Sequence, residues 1–335
     1  MSRLPARWLL LTMLVLCWPC LLQAQELSPR TDDRRPDVPL ASQEANTNAI
    51  YKALRAIHTG EVVPVNGLVL RRDTGVLTLT GAFTFLAPVQ GKVTGAVFFG
   101  HGKFDLAPPI EVEKKSLAEL TKGPELHEEF EEAVFRFTDS TYDEVKNQSG
   151  TPSLSVSTGG DPIETLARVQ KYLRKERKYN LDARILEDVL RTQPGGLLWA
   201  FIHGRNVSNK LLFAIDPHGL NAFGLAPEEV ALVTYEDQKA GIWAAFHLSD
   251  EYQTHTARGS QYTLTINIEH QKLDTTLDKG GRLDGISQTT FLSTVDGLAV
   301  VPFDLFPSLR VRNVEDSDGK PLDFLQENMK TPILR

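Results

Sequence analysis

The chain has 335 residues, of which 41% are hydrophobic and 24% charged, an ordinary globular composition with room for two or three domains. Its formal net charge of −7 argues against nucleic acid as a partner, because an acidic chain is repelled by polyphosphate. The two cysteines, Cys17 and Cys20, both fall within the first 24 residues, so a chain that has lost this segment has no disulfide, thiol nucleophile or cysteine-bound zinc.

Arg3 and Arg7 precede an apolar run from Trp8 to Leu22, and Ala24 offers a small residue for cleavage. This is the layout of a secretory signal peptide over residues 1–24. The run is shorter than the roughly 20 residues that span a bilayer, and Pro19 interrupts it, which favours cleavage over a retained anchor. Removing Arg3 and Arg7 takes the net charge from −7 to −9, and the expected location is secreted or periplasmic. Residues 25–41 are rich in proline and charge and predict a disordered linker.

Residues 42–155 predict an α+β domain. Ser42 reads as the cap of a helix that carries Ala49, Ile50, Ala53, Leu54 and Ile57 at helical spacing and closes at Gly60. Val62–Leu70, Val76–Thr80, Phe83–Ala87, Lys92–Phe99 and Phe104–Leu106 then read as an antiparallel meander of four or five strands, with Asp73-Thr-Gly75 as a turn. The pair Gly100 and Gly102, around His101, reads as a further turn. Ser116–Lys122 and the acidic stretch Pro124–Glu132 predict helices, Ala133–Phe137 a strand, and Ser140–Gln148 another short helix.

A Ser/Thr/Gly/Pro stretch at 149–160 predicts a boundary near residue 155. Residues 156–260 predict a helical pair over Pro162–Arg191, broken near Tyr179-Asn180, followed by the strands Leu197–His203, Leu211–Ile215, Val230–Tyr235 and Ile242–Leu248. The basic residues Lys171, Arg174, Lys175, Arg177 and Lys178 read as a solvated helix face. Residues 261–335 return to strand patterns at Tyr262–His270, Arg282–Leu292, Gly297–Phe306, Leu309–Glu315 and Lys320–Leu325. The expected fold class is therefore α+β and β-rich, with an N-terminal meander, a central helical pair and a C-terminal sandwich-like or saddle-like block.

Few residues announce a chemistry. His127-Glu-Glu-Phe-Glu131 is the nearest approach to the H-E-x-x-H zinc helix, in which positions i and i+4 project to one metal. Here the fifth residue is Glu131, and Glu128, Glu129 and Glu132 crowd it, so a solvated acidic face is the simpler reading. His58, His101, His127, His203, His218, His247, His255 and His270 show no His-x-His or His-x₃-His pair. There is no G-x-S-x-G elbow and no phosphate loop between a strand and a helix.

Several stretches carry a resemblance. They are Leu86-Ala-Pro-Val-Gln-Gly-Lys-Val-Thr-Gly-Ala-Val-Phe98, Pro108-Pro-Ile-Glu-Val-Glu113, Leu211-Leu-Phe-Ala-Ile-Asp-Pro-His-Gly219, Gly241-Ile-Trp-Ala-Ala-Phe-His247 and Ile268-Glu-His-Gln-Lys-Leu-Asp-Thr275. Together with Leu298–Glu315, they resemble the N-terminal region of bacterial secreted proteins of the membrane alanyl aminopeptidase, or gluzincin, family. The resemblance implies that residue 261 and beyond begin the family's amino-terminal β domain. It also implies a parent activity, the zinc-dependent removal of N-terminal residues from peptides. The family's H-E-x-x-H helix and its Gly-x-Met-Glu-Asn exopeptidase motif are absent, and Glu327-Asn328-Met329 has the order scrambled. No catalytic, cofactor-binding or metal-binding residue is therefore carried over. The expectation is a non-catalytic amino-terminal portion without a cofactor of its own, whose partner is a C-terminal peptidase domain or a peptide ligand.

Two alternatives stand beside it: an independent extracytoplasmic binding module, and a metal hydrolase that uses dispersed His and Asp/Glu. The stretch Leu322–Gln326 is further expected to leave an unpaired edge through which the chain self-associates.

Overall fold

A computed structural model describes residues 48–148, 159–176, 180–191, 193, 195–235, 240–257, 265–303, 305–306 and 309–326. The predicted signal, the linker after it, the Ser42 cap and Glu327–Met329 lie outside these residues, as do most of the 149–160 stretch and Tyr179.

The first helix, α1 (Ala49–Arg55), is capped by Asn48, whose side chain accepts the Tyr51 backbone N–H at 3.0 Å. It ends well before Gly60, which already belongs to β1 (Thr59–Arg72). Then follow β2 (Gly75–Leu86), β3 (Gly95–Leu106), α2 (Glu111–Thr121), β4 (Leu126–Phe137) and α3 (Thr141–Asn147). The central helical pair is α4 (Pro162–Glu176) and α5 (Leu181–Leu190), with Asn180 capping the second through the Ala183 N–H. The strands β5 (Leu198–Gly204), β6 (Leu211–Ile215), β7 (Val230–Thr234) and β8 (Gly241–Phe246) lead into α6 (Ser249–Thr254). The chain then forms β9 (Ile266–Leu277) and β10 (Leu283–Ser293). The expected β-rich α+β class is what the molecule has.

Strands β1 to β8 make one antiparallel sheet in sequence order, and β9 and β10 make a separate two-stranded ribbon. The sheet crosses the boundary expected near residue 155, because β4 pairs directly with β5. Alternation is clean along the later strands. Leu198, Ala200 and Ile202 of β5 face one core, while Trp199 and Phe201 face the other. The first core is dominated by phenylalanines, among them Phe83, Phe85, Phe98, Phe104, Phe130, Phe135 and Phe213. Rings of Phe104 on β3 and Phe213 on β6 lie 4.9 Å apart. Strands three places apart in a flat sheet are about 14 Å apart, so the sheet curls around this core. The curl brings the β1–β2 turn to α6, where Ser249 donates its N–H and hydroxyl to the Asp73 carboxylate at 2.7 and 2.9 Å. Helices α1, α4 and α5 cover the opposite face through Tyr51, Leu54, Leu166, Ile185 and Leu186.

Two local expectations are corrected by the sheet. The acidic stretch 124–132 is strand from Leu126 onward, because Leu126, Glu128 and Phe130 alternate inward against exposed or half-exposed His127 and Glu129. The alternation was masked in the sequence by a glutamate at a buried position. Gly100 and Gly102 lie inside β3 and make no turn. Gly100 opposes Gly81 of β2, and a Cβ on Gly100 would fall 2.3 Å from the Thr80 carbonyl oxygen, so the two backbones approach closely there.

The free edge of β8 is covered by α2, where the Glu113 carboxylate accepts the Ala245 N–H at 2.8 Å. Replacing Glu113 with alanine is expected to cost about 1 kcal/mol in chemical denaturation, the usual value of one such bond. No loss of stability would mean that water replaces the carboxylate without penalty.

Candidate functional site

The C-terminal ribbon is the part of the fold that carries an uncovered apolar face. Residues paired across an antiparallel ladder share a face. Leu277 opposes Leu283, and Leu273 opposes Ser287, on one side of the ribbon. Near the far end the register shifts by one residue between Thr290 and Phe291, so that Ile268 opposes Phe291 and Ile266 opposes Ser293. Without that bulge Ile266 and Ile268 would point away from Leu273 and Leu277; with it they join the same face. The other side is mostly polar, with His270, Lys272, Asp274, Asp284, Gln288 and Thr290, but it also carries the exposed Ile286 and Leu292. The apolar side is open to solvent: Ile268 is 51% exposed, Leu273 64%, Leu277 69% and Leu283 46%.

Beyond the ribbon the expected strands do not form. Residues 297–303 are irregular, and the only pairing among described residues 309–326 is the bridge between Glu315 and Pro321. Leu322–Gln326 is not an unpaired edge strand. The Leu322 N–H is bound to the Val314 carbonyl at 2.9 Å, and the Gln326 amide clamps Val311 N–H and Leu309 carbonyl. Proline at 302, 307 and 321 and the Asp316–Gly319 turn deny this stretch a regular ladder. Val300 and Leu325 pack instead against the helix-covered core.

A second cluster lies at the end of β7 and β8. Val230 opposes Phe246, which places Glu229 beside His247 just beyond the ladder. Helix α6 begins two residues later and brings Glu251 back over the imidazole. The His247 Nδ1 lies 3.0 Å from Glu229 Oε2 and 3.5 Å from Glu251 Oε2, and the three ligand atoms lie within 4.8 Å of one another. Glu229 and His247 are largely buried and Glu251 partly so. The Tyr252 hydroxyl accepts the His247 backbone N–H at 3.1 Å and fixes the turn into α6. Burial holds the Glu229 carboxyl above the usual carboxylate range, and the charge of Glu251 adds to this. Burial likewise raises the Tyr252 phenol, with Glu113, Glu228 and Glu229 contributing negative charge around it.

A third polar cluster is structural. Arg184 of α5 grips Asp216 through Nε and Nη2 at 3.0 and 2.9 Å and lies 2.7 Å from Asp188. Asp188 also accepts the Thr138 hydroxyl at 2.6 Å, and Arg136 of β4 binds Asp182 at 2.9 Å. These bonds fasten α5 to the sheet. Burial lowers the His218 imidazole below its ordinary value, and neighbouring Arg184 lowers it further.

The sequence-stated candidates fall apart in space. His127 is exposed and binds Asp105 at 2.6 Å across the β3–β4 ladder, while Glu131 pairs with Arg205. On a strand, residues i and i+4 are about 13 Å apart, so His127 and Glu131 do not share a metal as they would on a helix. His58, His101, His203, His255 and His270 are exposed. Lys171 is exposed on α4; the side chains of Arg174, Lys175, Arg177 and Lys178 lie outside the described residues. The Glu229–His247–Glu251 grouping was missed because Glu229 is 18 positions from His247. The spacing of His247 and Glu251, at i and i+4, was the visible half of the signal. No helix among the described residues is long and apolar enough to cross a membrane. No protein-family model, curated protein or solved structure matches the chain.

Proposed function

We propose that the chain is an exported, non-catalytic amino-terminal portion of an aminopeptidase-related protein, in which the β9–β10 ribbon is the surface that receives the rest of the peptidase. The observation that carries this reading is the open apolar face of Ile268, Leu273, Leu277 and Leu283. A two-stranded ribbon is marginal in water, and further strands or a packed layer are needed to steady it. Covering each of these side chains contributes about 1–2 kcal/mol, so a docked neighbour gains several. The ribbon also coincides with Ile268–Thr275, where the resemblance to the family's β domain begins. In this reading the zinc chemistry of the family belongs to the docked part.

The test pairs an activity with a surface measurement. The purified chain with added zinc is expected to release no chromophore from alanine p-nitroanilide. It is expected to bind an apolar fluorescent dye, and the pair Leu273→Asp and Leu283→Asp should abolish that signal while moving stability by less than about 0.5 kcal/mol. Robust turnover would overturn the non-catalytic assignment. A loss of several kcal/mol in the double variant would show that the face is already covered in the folded chain.

A further inference from the structure

The geometry points to a divalent-cation site formed by Glu229, His247 and Glu251, separate from the ribbon and independent of the reading given for it. A zinc-type ion bound at about 2.0–2.2 Å to tetrahedral N and O ligands holds those ligands roughly 3.3–3.6 Å from one another. Of the two distances from His247 Nδ1 to the carboxylate oxygens, 3.5 Å lies inside that range and 3.0 Å just below it, and all three ligand atoms lie within 4.8 Å of one another. The ligands come from three pieces of chain that the fold brings together: the entry to β7, the exit of β8 and the first turn of α6.

The electrostatics favour a cation. Two carboxylates converge on one imidazole in a largely buried position, and Glu113 and Glu228 add negative charge around the neighbouring Tyr252. A neutral imidazole offers its Nδ1 lone pair to the ion, and the ion offsets the repulsion between Glu229 and Glu251. One imidazole and two carboxylates suit zinc and similar first-row ions better than calcium, which takes six to eight oxygens. Three protein ligands leave a fourth position for water, and Glu251, the most exposed of the three, marks the solvent side.

The test is calorimetric titration of the untagged chain with zinc chloride after chelator treatment, repeated with cobalt(II) for its visible spectrum. One zinc per chain is expected, with a tetrahedral cobalt spectrum. Glu251→Gln is expected to weaken zinc binding by at least about 10- to 100-fold, the loss seen when a mere supporting partner of a ligand is removed, since a direct ligand contributes no less. His247→Ala is expected to abolish it. Because His247 is largely buried and its alanine variant could fold poorly, Glu251→Gln decides the matter, with circular dichroism confirming that the variant is folded. Absence of stoichiometric zinc, or binding unchanged in Glu251→Gln, overturns the site.

Discussion

Replacing Glu128 with alanine is expected to lower the unfolding free energy by about 3–5 kcal/mol and the melting temperature by roughly 10 °C. Glu128 is 1% exposed, on the inward row of β4 between Leu126 and Phe130. The carboxylate is encircled by backbone donors. It accepts N–H groups from Arg205 at 2.8 Å, Asn206 at 2.6 Å, Val207 at 2.7 Å and Ser208 at 3.4 Å, together with that of Glu129 at 3.2 Å. Four of the five belong to the β5–β6 connection, so one side chain holds that loop in shape. Alanine removes every acceptor at once, and each donor left buried costs about 1–3 kcal/mol unless water reaches it. Glu128→Gln keeps one acceptor oxygen and is expected to lose about half as much. Gly204 supplies an independent check. A Cβ there would lie 2.6 Å from Glu128 Cδ and 2.4 Å from the Ser208 carbonyl oxygen, so Gly204→Ala displaces the same carboxylate from its ring of donors. Urea denaturation of the three variants decides; a loss under 1 kcal/mol in Glu128→Ala would show that the loop holds itself.

Arg184→Met is expected to cost a similar 3–5 kcal/mol, for the opposite electrostatic reason. Asp188 and Asp216 are each 1% exposed, and the guanidinium lies between them. Burial alone would lower the Arg184 pKa, but Asp216 and then Asp188 reverse this and hold it above its ordinary value, so the group is charged throughout the working range. Methionine fills much of the volume and leaves two buried carboxylates without their cation. The space around Asp188 is tight: a Cβ on Gly195 would fall 1.8 Å from its Oδ2. Adding Asp216→Asn to Arg184→Met removes one orphaned charge, and the pair is expected to recover about 1–3 kcal/mol, measured as the coupling in a double-mutant cycle. The His218 N–H, which Asp216 accepts at 3.0 Å, keeps its acceptor in the asparagine variant. Strict additivity of the two substitutions would argue that the network is not energetically connected.

The two variants explain why the chain's chemistry is hard to read by eye. Glu128 stands in the run His127-Glu-Glu-Phe-Glu131, which resembles a metal-binding helix or a solvated acidic face. Its actual role is set by a loop about 80 positions away, which no local pattern contains. Arg184, Asp188 and Asp216 likewise look like surface charges until α5 is laid on the sheet. The helices at 162–176 and 181–190 and the strands β5 to β8 were legible, because apolar spacing follows the period of the element itself. Of the strand at 126–137 only the end from Ala133 was legible, because the inward row before it contains a glutamate.

The ribbon divides in the same way. Its second strand was legible over Arg282–Leu292, but the first was expected to end at His270, whereas it runs on to Leu277. The gathering of Ile266 and Ile268 onto the side of Leu273 and Leu277 was not legible, since the two pairs are out of phase until a bulge realigns them.

The sequence by itself determined a β-rich α+β fold, the positions of most elements and the absence of the H-E-x-x-H motif. Periodicity and motifs are local, and local order is what a linear chain records. Tertiary structure alone decided that the eight strands form one sheet and that a buried carboxylate organises the β5–β6 loop. It also decided that Glu229, His247 and Glu251 meet and that Ile268, Leu273, Leu277 and Leu283 share one exposed side of the ribbon. Each of these depends on strand register and curl, which are set by the packing of side chains far apart in sequence.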